Sequence, residues 1–172
     1  QGFPWEKKRK HFEKFWNDNF NLTQTYPSVE SIYNNPPDFD VYVAGSDQIW
    51  NPTCITGDGV FLLDFVTNGK RRISYASSFA QAKLEEKFRK DMADSLRGFF
   101  SIAVRESNGV IIVKKLIGKD VPITLDPTLL LRKDDYGPHI NQSSLHIQKP
   151  YMLVYILLYA YDPNPYSTEF IR

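Results

Sequence analysis

The sequence predicts an α/β fold in which helices cover both faces of a parallel sheet. Short apolar segments alternate with segments of helical periodicity between residues 39 and 125, and strands joined by helices in this way form parallel sheets. The apolar segments run into small or charged polar residues, as at Gly45-Ser46-Asp47-Gln48. Open α/β sheets bind their ligands at this edge, where the carboxyl ends of the strands meet.

The first predicted element is a helix that starts near Pro4, because proline is favoured in the first turn of helices. Aromatic side chains recur on one face of this helix, and Lys and Glu residues fill the other; the aromatic residues are Trp5, Phe12, Phe15 and Trp16. We expect this face to pack against a sheet, with a ligand groove as the alternative. The polar segment 20–35 is predicted to be irregular.

Four strands and two further helices are expected next along the chain. The strands are predicted at residues 39–44, 72–76, 99–104 and 121–125. Apolar residues recur at every fourth position from Leu84 to Leu96, which predicts a helix that ends at Gly98. A second helix is predicted at 110–117, and the apolar segment 60–66 fits either a strand or a packed loop.

The domain boundaries follow from changes in composition. Residues 1–131 are expected to form a Rossmann-like N-terminal domain without its first strand, because doubly wound domains normally begin with a strand and this sequence begins with a helix. Residues 132–149 are polar and rich in turn-forming residues, which predicts a linker. Residues 150–158 have the composition of a buried strand, so 150–172 are expected to start a truncated second α/β domain.

Composition and charge disfavour several classes of protein. The 172 residues carry 21 basic and 20 acidic side chains, so no overall positive charge indicates a nucleic-acid partner. The single cysteine, Cys54, cannot form an intrachain disulfide, which fits a cytoplasmic protein. No apolar stretch reaches the roughly 18 residues that span a bilayer. The basic runs at 7–10 and 70–72 are expected to be solvated, with a peripheral membrane contact as the alternative.

Polar side chains follow all four predicted strands. They are Ser46, Asp47 and Gln48 after the first strand, Ser77 and Ser78 after the second, Arg105 and Glu106 after the third, and Asp126 after the fourth. Because the carboxyl ends of parallel strands lie along one edge, these side chains can converge although they are far apart in sequence. For each residue alone, helix capping, turn formation or an internal ion pair is as good an explanation as a functional role.

Five segments in this order resemble the signature of the polysaccharide pyruvyl transferase family. They are Val-Ala-Gly-Ser-Asp-Gln-Ile-Trp-Asn-Pro at 43–52, Phe-Leu-Leu-Asp-Phe at 61–65, Ile-Ser-Tyr-Ala-Ser-Ser-Phe at 73–79, Val-Arg-Glu-Ser-Asn-Gly at 104–109 and Leu-Asp-Pro-Thr-Leu-Leu at 125–130. The resemblance covers residues 39–158, of which 151–158 is similar to the first strand of the family's second domain. The family's opening strand with its Asn-Tyr-Gly loop, and most of its second domain, have no counterpart in these residues.

The resemblance implies the first half of a GT-B-like architecture, in which two Rossmann-like domains face a cleft. It also implies transfer of a pyruvyl group from phosphoenolpyruvate, as a ketal bridging two hydroxyls, to a glycan or lipid-linked sugar in bacterial surface polysaccharide or exopolysaccharide assembly. Phosphoenolpyruvate is then a substrate, and no cofactor is expected. Basic residues of the second domain are expected to hold the donor, so the fragment by itself is expected to be inactive.

Ketal formation requires a proton for the enol carbon, stabilisation of a cationic centre and a base for the attacking hydroxyls. We therefore expect Asp47 and Glu106 to act as base or cation stabiliser, and Arg105 to hold a phosphate or carboxylate. The expected substrate-binding residues are Gly45, Ser46, Gln48, Trp50, Asn51, Ser77, Ser78 and Asp126. No metal site is expected, because the three histidines do not stand at metal-ligand spacing with Cys54; they are His11, His139 and His146.

Two alternatives remain open at this point. A GT-B-type glycosyltransferase would use a nucleotide sugar, and stabilisation by nucleotide diphosphates but not by phosphoenolpyruvate would indicate it. A non-catalytic glycan-binding or assembly module would keep the fold without turnover. In that case, substitution of Asp47 or Arg105 would leave glycan binding unchanged.

Overall fold

The structure is a computed structural model that describes residues 4–53, 59–67, 69–140, 147–148 and 150–152. The chain divides into two compact units, Gln1–Leu131 and Arg132–Arg172. The first unit combines helices with parallel strand pairing, which agrees with the predicted α/β class. The Rossmann-like and GT-B-like features, and the cover of helices on both faces, stay predictions. Within the described ranges, no helix combines the length and apolar character needed to cross a membrane.

Two short strands form the regular part of the sheet. Strand β1 (Val41–Ala44) and strand β2 (Arg71–Ser74) pair in parallel, with Val41 beside Arg71 and Ala44 beside Ser74. Isolated parallel bridges continue the sheet in chain order; they join Ile73 to Ser101, Ser77 to Val104, and Val104 to Ile123. The third and fourth predicted strands therefore occupy the expected places but form single bridges instead of continuous strands.

Side-chain hydroxyls replace part of the backbone pairing that continuous strands would require. Ser74 Oγ accepts a hydrogen bond of 3.0 Å from the Ala103 amide and donates one of 3.1 Å to the Ala103 carbonyl. Thr124 Oγ1 accepts a bond of 3.0 Å from the Ala76 amide. Because the hydroxyls satisfy these backbone groups, the ladder can be interrupted without leaving them unpaired.

Helices α3 (Glu86–Arg97) and α4 (Ser107–Ile117) pack against each other and cover the sheet segments that follow β2. α3 ends at Gly98 as predicted. α4 ends at Gly118, whose φ of 72° lies in the left-handed region that favours glycine after a helix. α4 begins three residues earlier than predicted, because the extended N-cap residue is Glu106. The polar end of the third predicted strand is therefore also the start of a helix.

The core lies between these helices and the sheet. Trp50 and Phe79 are fully buried with ring centroids 5.4 Å apart, and Phe99 meets Trp50 edge to face at 5.5 Å. Aliphatic side chains fill the remaining space; they include Met92, Leu96, Ile102, Val104, Ile112 and Val113. Because Trp50 is part of this core, it anchors the loop that follows β1.

An ion pair shielded from solvent connects the loop before β2 to α3. The segment 60–66 is a packed loop with a 3₁₀ turn at Val60–Leu62 and not a strand. Arg72 Nη1 lies 2.8 Å from Asp64 Oδ1 and also donates to two backbone carbonyls of the loop at 3.2 Å. Ser95 Oγ of α3 donates to the other Asp64 oxygen at 2.6 Å. The Arg72 side chain is 14% exposed, so these bonds form largely out of water.

Helix α1 (Pro4–Asn19) occurs where it was predicted, but the aromatic side chains of its face that the structure describes do not pack against a sheet. Phe12, Phe15 and Trp16 are 58%, 44% and 49% exposed. The rings contact other aromatic rings instead: Phe12 lies 6.2 Å from Trp16, and Phe15 lies 6.0 Å from Phe20. Phe12 and Trp16 lie one helical turn apart, so their side chains can cover each other without a second layer. The packing expectation is therefore wrong for Phe12, Phe15 and Trp16.

Helix α2 (Val29–Asn34) falls in the segment that we predicted to be irregular. The Ser31 amide donates to Ser28 Oγ, and the Ser28 amide donates to Ser31 Oγ, each at 3.2 Å. This reciprocal pair is a capping box, which satisfies amides at the start of a helix. The cap allows a helix to form in a polar segment that shows little helical periodicity.

The second unit contains helix α5 (Lys133–Ile140) where we predicted a linker. Asp134 and Asp135 lie in its first turn, and the Arg132 amide donates to the Asp135 carboxylate at 2.7 Å. Acidic side chains at a helix start stabilise its unpaired amides, which explains a helix in a polar segment. The strand predicted at 150–158 lies outside the described residues apart from 150–152, so the truncated second domain stays a prediction.

Candidate functional site

The carboxyl ends of the strand segments meet at one edge of the sheet. The Ser78 amide donates to the Asp47 carbonyl at 2.9 Å, and the Trp50 amide donates to the Ser78 carbonyl at 3.1 Å. These bonds hold the loop after β1 beside the loop after β2. The Arg105 amide donates to the Ser77 carbonyl at 3.2 Å. Three of the four polar strand ends are thus neighbours through their backbone.

The Arg105 side chain adds the fourth strand end. Its Nη1 lies 3.3 Å from Asp126 Oδ2 and 3.4 Å from Asp47 Oδ1, and its Nε lies 3.8 Å from Glu106 Oε2. Ser46 Oγ donates to the same Asp126 oxygen at 3.1 Å. We call these five residues, Ser46, Asp47, Arg105, Glu106 and Asp126, the Arg105 cluster. Counted at their formal charges, three carboxylates and one guanidinium give the cluster a net charge of −2.

Asp126 is the anchor of the Arg105 cluster. Its Oδ1 accepts hydrogen bonds from the Thr128 amide at 3.1 Å and from the Thr128 hydroxyl at 2.8 Å, so Asp126 caps the 3₁₀ turn Pro127–Leu130. These two bonds are the main reason that the pKa of Asp126 falls from 3.8 to about 2, and Ser46 and Arg105 lower it further. Asp126 is therefore ionised at neutral pH, and both of its oxygens are engaged.

Asp47 is the open member of the cluster. Its side chain is 79% exposed, and within the described part of the chain its one side-chain contact joins Oδ1 to Arg105 Nη1. Its backbone φ of 63° lies in the left-handed region, which aspartate tolerates better than most residues other than glycine. Asp47 Oδ2 is therefore available to accept a hydrogen bond or a proton from a ligand.

Glu106 connects two elements of the site. Its Oε1 accepts hydrogen bonds from Ser78 Oγ at 3.0 Å and from the Phe79 amide at 3.2 Å, while Oε2 faces Arg105. Glu106 therefore ties the start of α4 to the loop after β2. A proton-transfer role for Glu106 would have to compete with these bonds, and it stays a prediction.

Three predicted substrate-binding residues, Trp50, Ser77 and Ser78, are fully buried, and the Ser78 hydroxyl is already engaged by Glu106. Trp50 Nε1 donates to the Phe61 carbonyl at 3.2 Å, and Ser77 Oγ donates to the Ala44 carbonyl at 2.9 Å. The structure thus uses these side chains to hold the loops that carry the Arg105 cluster. A direct contact between any of these side chains and a substrate stays a prediction.

Gln48 and Asn51 form a second hydrogen-bonded group beside the cluster. Asn51 is buried; its Nδ2 donates to Gln48 Oε1 at 3.2 Å, and its Oδ1 accepts from Gln81 Nε2 at 2.9 Å and from Thr53 Oγ1 at 2.8 Å. These bonds stabilise the loop 45–53 from within. The predicted role of Gln48 and Asn51 in orienting sugar hydroxyls stays untested.

Gly45 acts through its lack of a side chain. Its φ is 144°, and a Cβ atom at this position would lie 1.8 Å from the Tyr75 carbonyl oxygen. Glycine is the residue that permits this backbone conformation and this close approach. The Gly45–Ser46 peptide bond is cis. Gly45 therefore lets the loop after β1 pass beside β2, which places Ser46 and Asp47 at the sheet edge.

Thr128, Thr124 and Gln81 support the site but are absent from the sequence-based predictions. Thr128 carries a signal, because Asp-x-Thr is a common pattern in which Asp accepts the amide of the residue two positions later. The other two carry no local signal, since Gln81 binds Asn51 across 30 positions and Thr124 binds the Ala76 amide across 48.

The chemistry of the Arg105 cluster suits hydroxyl groups better than phosphate. Carboxylates accept hydrogen bonds from hydroxyls, and Asp47 offers a free carboxylate oxygen at the open edge. The positive charge of Arg105 is outweighed by three carboxylates, so an anion at this edge would meet net repulsion. Binding of a phosphate or carboxylate by Arg105 would have to overcome this charge, and it stays a prediction.

Comparison with known proteins gives a family for the chain. A model of the family described as polysaccharide pyruvyl transferase matches residues 2–170, nearly the whole chain. Comparisons with curated proteins and with solved structures found no match. The matched family is one of transferases, and its description indicates a polysaccharide acceptor. A match over this length shows that the chain belongs to the polysaccharide pyruvyl transferase family.

Proposed function

We propose that this protein transfers a pyruvyl group from phosphoenolpyruvate to a sugar of a bacterial surface polysaccharide or exopolysaccharide, as a ketal across two hydroxyls. Family membership supports the transferase class and the polysaccharide acceptor. The observation that carries the finer proposal is Asp47, an exposed carboxylate held 3.4 Å from Arg105 at the open edge of the sheet.

We assign the Arg105 cluster to the acceptor and not to the donor. Phosphoenolpyruvate carries a phosphate and a carboxylate, and both would be repelled by the net charge of −2. Sugar hydroxyls are neutral and donate hydrogen bonds to carboxylates. In this assignment, Arg105 fixes the positions of Asp47 and Asp126, and basic residues elsewhere in the protein bind the donor.

The proposed pyruvyl transfer conserves atoms and protons. Two sugar hydroxyls form bonds to C2 of phosphoenolpyruvate, and the bond between C2 and the phosphate oxygen breaks. The two hydroxyls release two protons. The methylene carbon takes up one proton and becomes a methyl group, and the released phosphate takes up the other. Asp47 accepts a proton from an attacking hydroxyl, and nearby carboxylates stabilise positive charge at C2.

The test uses the full-length protein with phosphoenolpyruvate and a panel of glycan acceptors. We expect inorganic phosphate and ketal in equal amounts, with the ketal identified by its methyl resonance. Asp47→Asn keeps the shape of the side chain and should lower kcat by about 10²- to 10⁴-fold, the usual contribution of a general base. Asp94→Asn is the matched control, because Asp94 forms an exposed pair with Arg97 on α3 and should leave kcat unchanged.

Three results would contradict parts of the proposal separately. Absence of both phosphate and ketal, with thermal stabilisation by nucleotide diphosphates and none by phosphoenolpyruvate, would favour a glycosyltransferase that uses a nucleotide sugar. Glycan binding without any turnover, and unaffected by the Asp47 substitution, would favour a non-catalytic module. Full turnover by Asp47→Asn would show that Asp47 is not the general base, but it would not contradict the proposed reaction.

A further inference from the structure

A second site lies between α3 and α4, away from the Arg105 cluster. It is a hollow of about 60 Å³ on the surface, lined in part by Lys83, Leu84, Arg89, Ile111, Ile112 and Lys115. The Arg105 cluster lies at the start of α4, and Lys115 stands eight residues after the first residue of that helix. At 1.5 Å per residue this is about 12 Å along the helix. The hollow therefore needs its own explanation.

The inner wall of the hollow is apolar. Leu84 and Ile112 are buried and belong to the core cluster, so they give the hollow a fixed wall. Ile111 lines the same hollow and is 47% exposed. An aliphatic group placed here would cover Ile111 and remove apolar surface from water on both partners.

Three cationic side chains surround this apolar wall: Lys83, Arg89 and Lys115. The Arg89 guanidinium is held in place, because its Nε donates to the Leu84 carbonyl at 3.2 Å and its Nη1 lies 2.6 Å from Glu86. Lys83 and Lys115 form no ion pair with any residue that the structure describes. The neighbouring Glu85 is paired with Lys87 at 2.9 Å, so the three cations and Glu86 leave a net charge of +2 at the hollow.

The ordinary explanation for Lys115 is that a basic residue in the last turn of α4 complements the helix dipole. That explanation does not account for Lys83, which precedes α3, or for Arg89, which points to the same hollow from within α3. Convergence of three cations from different segments on an apolar wall indicates a ligand with an anionic head and an aliphatic part.

We propose that this hollow binds a phosphate monoester with a short aliphatic group. The dianionic phosphate matches the net charge of +2 and is placed among Lys83, Arg89 and Lys115. The aliphatic carbons contact Leu84, Ile111 and Ile112. The volume of about 60 Å³, against the roughly 150 Å³ of a cavity that holds benzene, suits a chain of about two to four carbons inside the hollow. The proposal is independent of pyruvyl transfer at the Arg105 cluster.

The test measures binding of butyl phosphate to the whole protein by calorimetry and by chemical-shift changes. Butyl phosphate should bind roughly tenfold more tightly than inorganic phosphate, because the butyl group removes apolar surface from water. Lys115→Gln should weaken binding of both probes by about tenfold through loss of a charged hydrogen bond. Ile111→Asn should weaken butyl phosphate and leave inorganic phosphate unchanged. Lys119→Gln, an exposed position beyond the end of α4, is the matched control.

Vesicles distinguish the two sources of such an ester. Binding to vesicles that contain phosphatidic acid, reversed by butyl phosphate and lost in Lys115→Gln, would support the proposal with a lipid headgroup as the ligand. Binding of butyl phosphate without vesicle binding would support it with a free ester as the ligand. The proposal would be overturned if butyl phosphate did not bind, if it bound no better than inorganic phosphate, or if Lys119→Gln weakened it as much as Lys115→Gln.

Discussion

The substitution Gly45→Ala places a methyl group where the backbone of the neighbouring strand already lies. The added Cβ would be 1.8 Å from the Tyr75 carbonyl oxygen, whereas close carbon–oxygen contacts in proteins are about 3.3 Å. The backbone of Tyr75 must therefore move. The Tyr75 amide, which lies in the preceding peptide unit, donates the 2.9 Å hydrogen bond to the Ala44 carbonyl, so movement of this residue weakens the pairing between the two strand segments.

Two costs determine the expected loss of stability. A residue other than glycine at this backbone conformation costs about 1–3 kcal/mol, and the weakened hydrogen bond costs about 1 kcal/mol more. The free energy of unfolding of Gly45→Ala should therefore fall by about 2–4 kcal/mol. Urea unfolding followed by far-ultraviolet circular dichroism measures this quantity directly.

Gly69→Ala is the matched control, because Gly69 has a φ of 70° and no atom within 4 Å of an added Cβ. This substitution carries the conformational cost alone, about 1 kcal/mol. Equal destabilisation by the two substitutions would show that the close approach at Tyr75 is not the reason for glycine at position 45. A change of less than about 0.5 kcal/mol in Gly45→Ala would refute both costs.

Substitutions at Arg72, Glu106 and Asp126, with their controls, test three further sets of contacts. Arg72→Ala should lower the free energy of unfolding by about 3 kcal/mol, because Asp64 then keeps the hydrogen bond from Ser95 but loses its charge partner. Arg97→Ala removes an exposed pair and should lower the free energy of unfolding by less than about 1 kcal/mol; similar losses in urea would contradict the difference in burial. Glu106→Ala should lower the free energy of unfolding by about 1–2 kcal/mol, and Glu106→Gln should lower it by less, since an amide oxygen can still accept both hydrogen bonds. Thermal unfolding measures the stability of both variants, and equal losses would contradict this explanation. The folded-state pKa of Asp126, about 2, lies below its ordinary value of 3.8, so its stabilisation is present above about pH 4 and is lost as the pH falls towards 2. Asp126→Asn should therefore flatten the dependence of stability on pH in this window, and an unchanged slope would refute the shift.

Local signals in the sequence predicted the elements whose causes are local. The helix that ends at Gly98 and the helix that ends at Gly118 depend on periodicity and on glycine at the helix end, and both occur. The same reasoning missed α2, because the Ser28 and Ser31 capping box has serine where glutamate or glutamine is the usual third-position partner.

Contacts between distant residues were less predictable. The strand ends meet because the strands are parallel, and the alternation of apolar and helical segments along the chain predicts parallel strands. The partners within the site do not follow from it: Asp126 holds Ser46 and Arg105, and Glu106 holds the loop after β2. The shortening of the strands was unpredictable for the same reason: the hydroxyl of Ser74 bonds to the backbone of Ala103, which is 29 positions away in the sequence.

The burial of Trp50 also gives the protein an internal optical probe. Trp50 follows Asp47 by three residues and is fully buried, whereas Trp16 is exposed on α1. With Trp5 and Trp16 replaced by phenylalanine, the remaining indole emission would come from the loop that carries the open carboxylate. Quenching of this emission by acrylamide would then report how often that loop opens, before any substrate is known.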